Sequence, residues 1–525
     1  MAQELKSINL VAPGFKGINT EDSPLSQDPS FAEVADNAVI DKRGRIAARK
    51  GHNVITTNKT QLGTDSLSAI KEFRDDLGTT KVFSVGNNKI LSGTTTLADE
   101  TPGSYTISAD DWKMVNFNGS VYFFQREFQP LIYNITDSGT SGGAGSSVVT
   151  LSSVHSASGL VSAMYGNEVL AAYGRLWTAD FATDKSTIYW SDLLSGHKWS
   201  GGTSGSIDIS KVWPDGYDEI VALAAHNNLL IIFGKRSIVV YSGADDPSSM
   251  ALSDTVSGIG CVGRDTVQYT GVDVIFLSQT GLRSFGRTIQ EKSMPISSLS
   301  GTITTDIIQL INEANEVYKS VYYPEASFYL LTFTNQNMTY CFDIRGTLEN
   351  GSYRVTRWPG TSFTCYERKD NGDLLVGSAE GIGQYTGFQD NGSSYSFKYF
   401  SPELSFGDPS KLKFLKKIRP TVVGGSGLDV LLKWDYDFGS SYNTSIITLK
   451  DEAKAQFGLK ETAVGVVSEN EYGVAQFSDG ILTSKAAINT NGSGGTLSIG
   501  METSINGNEL SIQEINVLAL VGKTI

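Results

Sequence analysis

The chain has 525 residues, of which 40% are hydrophobic, 10% aromatic and only 19% charged. That length exceeds a typical single core, and so much apolar material with so few charges excludes a disordered chain. A net charge of −14 excludes a tight binder of nucleic acid, which needs clustered Lys and Arg, but not a wall along which DNA slides without sticking.

The 55 glycines, set among abundant Ser, Thr and Asn, predict many turns and an all-β protein. Residues 1–60 read as an N-terminal arm and hairpin. The first 35 are loop-like, with Pro13, Pro24 and Pro29, and carry no apolar run of signal-peptide type. Synthesis in the cytosol is therefore expected, and no later stretch has the length of a membrane span. NAVIDKRGRIAARKG at 37–51 reads as a hairpin with Gly44 at its turn. Its cluster Lys42, Arg43, Arg45, Arg49 and Lys50 is the most basic stretch in the chain. It is either a solvated face or a contact for an acidic neighbouring subunit.

Residues 61–395 carry a repeat of apolar strand, short turn and second apolar strand. Copies begin at 81, 120, 175, 229, 273, 327 and 373, and LLIIFGKRSIVVYSG at 229–243 shows the pattern most clearly. A third apolar segment precedes most copies: VNFNG, VLAAYG, IVALAAHNN and VQYTGV. Strand–turn–strand–turn–strand recurring every ~40–50 residues is the mark of propeller blades, because circular closure leaves only short sheet edges. Six or seven blades fit, and the first copy, with SLSAIKEFRDD at 66–76 before it, is the candidate to combine with the last and close the ring. A pair of β-sandwiches is the competing architecture.

From 396 to 525 the pattern changes to period-two alternation, expected of an antiparallel β-sandwich. In GLDVLLKWDYDFG, Leu428, Val430, Leu432, Trp434, Tyr436 and Phe438 share one face. Leu497, Ile499 and Met501 form a second such face, and Ile515, Val517, Ala519 and Val521 a third. NTNGSGG at 489–495 reads as a loop. Two helices are expected, over 304–316 and 451–458.

Chemistry is harder to find. His52, His155, His197 and His226 lie far apart, and no HExxH, GxSxG, phosphate-cradling or calcium-loop pattern occurs. Cys261, Cys341 and Cys365 show neither disulfide nor zinc spacing and read as buried free thiols. Asp180, Asp192, Asp208 and Asp218 read as exposed turn carboxylates, since abundance alone nominates no glycosidase pair. Trp177, Trp190, Trp199 and Trp213 suit either blade packing or a sugar-stacking platform, packing being the commoner use. No catalytic residue, metal or cofactor is expected.

The segments around Tyr189-Trp190-Ser191-Asp192, Pro214-Asp215-Gly216 and Tyr241, continuing through VSGIGCVGRDTVQYTGVDVIFLSQTGLRSFG at 256–286, resemble the tail hub or nozzle proteins of short-tailed bacteriophages (podoviruses). GFKGINTEDSP at 14–24 and FAEVADNAVIDKRGRIAARKG at 31–51 are similar to the opening of such proteins, and KLKFLKKIRPTVVGGSGLDVLLKWDYDFG at 411–439 to their platform domain. The resemblance implies a virion-tail location and a homo-oligomeric ring, commonly a hexamer. That ring would attach to portal and adaptor proteins, carry fibres, spikes or a needle, and pass double-stranded DNA without tight binding. The clusters Lys42, Arg43, Arg45 and Lys411, Lys413, Lys416, Lys417, Arg419 are then candidate protein contacts, and channel-facing loops should be net acidic. A propeller adhesin for host surface glycan is the alternative, with a polysaccharide-degrading enzyme behind it.

Overall fold

A computed structural model describes residues 4–524 apart from 13, 60, 63–65, 76–77, 87, 104, 106–110, 134–146, 155–156, 292–297, 440, 451–459, 462–466 and 469–482. The expected helix at 451–458 lies outside the described residues. The chain divides into two compact units, Met1–Gly51 with Arg354–Trp358 and Thr386–Ile525, and His52–Tyr353 with Pro359–Tyr385. The expected separate arm over 1–60 is thus split between the two.

The second unit is a β-propeller. All seven copies of the repeat pair antiparallel as the second and third strands of successive three- or four-strand arrays, for example Leu229–Gly234 with Ile238–Ser242 and Phe328–Phe333 with Met338–Thr347. The preceding apolar segments are the innermost strands. Around the ring they run Leu67–Arg74, Lys113–Phe117, Glu168–Ala172, Ile220–His226, Gln268–Tyr269, Tyr318–Tyr323 and Cys365–Arg368, each packed on the next and the last on the first. Six of these arrays are full blades. In the remaining one, fifth in order, the inner strand shrinks to Gln268–Tyr269, and the 3-10 turn Arg264–Thr266 fills the inner position beside its neighbours.

The turns explain why these segments fold back. Asn118-Gly119, Tyr173-Gly174 and Asn227-Asn228 each join an inner strand to the second strand as a two-residue loop, with both residues at positive φ. That geometry matches the twist of the hairpin and favours Asn and Gly. The ring closes on His52–Val54, which pairs antiparallel with Gly381–Tyr385 of the last blade. The first copy, with 66–76 before it, was expected to combine with the last: Leu67–Arg74 is the innermost strand of the first blade and packs against Cys365–Arg368 of the last, while the strand added to the last blade is His52–Val54.

Apolar side chains fill the spaces between blades rather than one central core. Phe83, Phe123 and Trp112 join the first and second blades, and Tyr122, Phe124 and Trp199 join the second and third. Trp177, Trp190 and Trp213 join the third and fourth. All four clustered tryptophans are therefore packing residues. The helix expected over 304–316 spans Thr304–Ile311 and stops short, with Asn312 as its C-cap and Asn315 in the left-handed region at φ 60°. The helix Phe285–Glu291 was not expected from the sequence.

The first unit is sandwich-like. Leu510–Thr524 pairs along nearly its whole length with Lys411–Gly424, across three register shifts. Its other edge takes Glu4–Leu10, so part of the supposed N-terminal loop is a strand, held by a long-range edge that local sequence does not announce. Leu497–Ile505 lies between Tyr395–Phe400 and Asp429–Tyr436 in a second sheet. Leu428, Val430, Leu432 and Trp434 are buried as the alternation predicts, while Phe438 is exposed in a positive-φ turn past the strand end. The hairpin at 37–51 forms as expected, Ala38–Ile40 pairing with Ile46–Ala48. The expected loop at 489–495 instead contributes short pairings to the Lys411–Gly424 strand.

Candidate functional site

Lys71, Lys113, Glu168, Lys319 and Glu367 on five of the seven inner strands, with Asp111, Arg264 and Asp265 just outside them, bring charges to the propeller axis. Arg264 sits at the centre. Its guanidinium lies 2.9 Å from carboxylate oxygens of both Asp111 and Asp265 and 3.9 Å from Glu168, and it donates to the Asn167 carbonyl (2.6 Å) and the Trp112 carbonyl (3.1 Å). Lys319 contacts Asp111 at 3.0 Å and also Asp265. Lys113 reaches both Glu168 oxygens at 2.7 Å, and Glu168 accepts the Leu223 N–H at 3.0 Å. Three cations thus face three carboxylates, and the axis is crossed by a charge-balanced lattice that ties blades together. Lys71 and Glu367 (2.8 Å) add a separate pair between the first and last blades.

Burial would raise the Asp265 carboxyl, but the charges of Arg264 and Lys319 override it and hold it well below the ordinary carboxylate range. Burial wins at Glu168 and Glu367, whose pKa values are raised although Lys113, Arg264 and Lys71 offset part of the effect. Burial would lower Lys319, yet Asp265 and Asp111 keep it above the usual lysine value. The lattice holds charges in pairs.

Two cavities border this lattice, both within the propeller unit. One of about 580 Å³ is lined by Ser66, Asn88, Val317, Tyr318 and Thr334 together with Asp111, Arg264 and Lys319. The other, about 210 Å³, is lined by Lys71, Lys113, Gln268, Ser320 and Glu367 among others. No group of three His, Cys, Asp or Glu residues positioned for a metal occurs among the described residues.

The sequence-predicted basic clusters lie in the other unit and divide in two. Lys42 and Arg43 are exposed at the hairpin turn, and Arg45 is held by Asp41 at 2.6 Å. Arg49 is not a surface cation: it is buried, with a two-pronged pair to Asp390 (2.8 and 2.5 Å), a bond to Asn37 (2.9 Å) and the Tyr395 ring 4.2 Å away. Lys413 is likewise fully buried, donating to the carbonyls of Asp408 and Gly495, and burial lowers its pKa. Strand alternation turns Lys413 inward. The register shift between Leu415 and Lys417 then leaves both Lys416 and Lys417 exposed, followed by exposed Arg419. These three have no ion-pair partner among the described residues.

The supposed exposed carboxylates also divide. Asp208 is exposed, whereas Asp180 is buried between Arg126 and Lys185, and Asp218 is buried, accepting from Lys235 and Arg236 N–H groups and the Ser237 hydroxyl. Asp192 accepts from the backbone and hydroxyl of Thr203 and from Leu193 N–H, and these bonds lower its pKa. The motif residues are loop braces. The axial charges were missed because each looks like an isolated polar residue. Their signal is positional: Lys71, Lys113, Glu168, Arg264, Lys319 and Glu367 recur in or beside the first strand of every blade but the fourth.

Cys261, Cys341 and Cys365 are buried thiols outside any disulfide. Burial pushes the Cys261 and Cys365 thiols up to about 12, so roughly one in ten thousand is thiolate at pH 8. A disulfide-type thiol reagent should therefore label no cysteine of the native protein at that pH and all three once guanidinium unfolds it. Rapid native labelling would show that a blade interface opens.

No family model and no curated protein matches this sequence. Among solved structures, similarity is found to PorZ, an essential bacterial surface component of the type-IX secretion system of Porphyromonas gingivalis, at 12% identity and TM-score 0.35, over 61% of this chain and 37% of that one. The extracellular domain of a putative one-component system of B. thetaiotaomicron matches at 11% identity and TM-score 0.38, over 80% and 51%. The Neurospora crassa Pan2 WD40 domain matches at 7% identity and TM-score 0.35, over 61% and 89%. The chain thus spans about 37% and 51% of the first two. At TM-scores of 0.35 to 0.38 these likenesses carry no argument about what this chain does.

Proposed function

We propose that this chain is a non-enzymatic structural protein of a short-tailed phage tail. In this reading it forms a homo-oligomeric ring that extends the portal and adaptor channel, conducts and retains packaged DNA, and anchors fibres or spikes. The observation that carries the reading beyond sequence resemblance is the segregation of charge. The propeller unit holds 34 acidic and 21 basic residues, a net −13 of the chain's −14, while the other unit holds 22 and 21. Lys416, Lys417 and Arg419 stand exposed on that nearly neutral unit. An acidic unit and a small basic stripe on one chain suit association between copies, and acidic walls repel phosphates within about 10 Å at ordinary salt.

The ion lattice supports a further point. A propeller whose axis is crossed by side chains is a solid wall, so the conduit would run between subunits.

Negative-stain imaging of the purified protein tests the proposal. Rings with a central hole are expected, and K416E/K417E/R419E should remain monomeric while melting within a few degrees of the parent. Monomers of the parent protein at physiological salt, or rings formed unchanged by the charge-reversed protein, would overturn it.

A further inference from the structure

We infer that the larger axial cavity is a binding site for a neutral saccharide. The inference stands apart from the ring proposal and requires no assembly. The cavity, about 580 Å³, falls within the range of small-ligand sites, roughly 300–1,000 Å³. Its floor is pre-organised, because Arg264, Lys319, Asp111 and Asp265 hold one another through charged hydrogen bonds. Nothing needs to be ordered there when a ligand enters, which lowers the entropy lost on binding.

The lining selects the ligand class. A phosphate or sulfate needs unpaired cations, and both cations of the cavity are already engaged by carboxylates. Glu316 adds a negative charge to the wall, its carboxylate accepting the N–H groups of Val317 (3.1 Å) and Asn335 (2.9 Å). A divalent cation needs several carboxylates free of cations, and with Asp111 and Asp265 facing Arg264 and Lys319 the wall leaves Glu316 alone. What the cavity offers is uncharged recognition. Ser66 and Asn88 are exposed, and Asp111, about two-fifths exposed, keeps lone pairs free beyond its ion pairs.

An apolar surface accompanies these groups. Val317 is 42% exposed, and Tyr318 is fixed by its hydroxyl bond to the Ile311 carbonyl (3.1 Å) and edge contact with Phe333. Hydroxyl-matching donors and acceptors beside an aromatic and an aliphatic wall are what a sugar ring, polar at its rim and apolar on its faces, requires.

The test uses the full-length protein and saturation-transfer NMR with D-glucose, D-galactose and N-acetyl-D-glucosamine, with inorganic phosphate and calcium as competitors. At least one sugar should bind, and neither phosphate nor calcium should displace it. Val317→Trp, which fills the cavity from an exposed position, should weaken binding at least tenfold. Asn88→Gly should weaken it severalfold while keeping the backbone, since Asn88 already adopts φ 56° and glycine accepts that conformation freely. The inference is overturned if none of the three sugars binds, if both variants bind like the parent, or if phosphate or calcium occupies the site instead.

Discussion

Replacing Arg264 by Met is expected to destabilise the propeller by about 3–5 kcal/mol, because it removes a buried cation from carboxylates of which Glu168 is wholly and Asp265 largely out of solvent. Asp111 and Asp265 lose their 2.9 Å guanidinium contacts, Glu168 loses a nearby cation, and the Asn167 and Trp112 carbonyls lose their donor. The effect should depend on pH with a definite sign. In the parent, the depressed pKa of Asp265 contributes stability that is fully present above the unfolded value, about 3.9, and is lost as pH falls below it toward the folded value.

In the variant, burial without Arg264 favours protonation, so acid removes the penalty. The gap between the two proteins should therefore narrow as pH drops from 7 to 4. Adding Asp265→Asn should restore part of the loss, showing that the pair and not the arginine alone is at stake. Urea unfolding at several pH values measures this. A loss below 1 kcal/mol at pH 7, or a gap that widens in acid, would show that the lattice does not hold the blades.

Trp177→Ala should cost a similar ~3–5 kcal/mol by a different mechanism, the emptying of a packed core. Trp177 is wholly buried between the third and fourth blades, with its ring 5.3 Å from that of Trp190 and its indole N–H donated to the Ala172 carbonyl at 3.0 Å. Unlike the Arg264 loss, this one should be nearly flat with pH, since no titrating group pairs with the indole. Tyr217→Ala, at a residue 60% exposed, serves as the control and should change stability by less than about 0.5 kcal/mol. If Trp177→Ala were as mild as Tyr217→Ala, the clustered tryptophans would need a role other than packing.

The two substitutions differ in how visible their targets are in the sequence. Trp177 belongs to a strand whose apolar run and turn recur in seven copies, and its burial follows from that repeat. Arg264 lies in GIGCVGRDT, where nothing local separates a surface turn from an axial hub. It meets Asp111 and the Trp112 carbonyl across 152 residues of chain in the latter case, and that meeting exists only once the ring has closed. The basic clusters show the same limit. Composition marks Lys413 and Lys416 alike, yet one is buried against two carbonyls and the other exposed, because strand parity and a register shift decide which way each side chain turns.

By itself, then, the sequence determined the all-β class, the propeller repeat with its paired strands, the sandwich-like alternation beyond 396 and the hairpin at 37–51. These are set by pleat periodicity and turn chemistry, which act over a few residues and leave a local record. Tertiary structure alone decided that His52–Val54 closes the ring, that Glu4–Leu10 joins the edge of the last strand, and that Arg49 and Lys413 are interior. It also decided that charges from the second, third, fifth and sixth blades form one lattice. Each of these depends on partners far apart in the chain, whose pairing is fixed by closure of the fold and by the desolvation of charges that closure brings together.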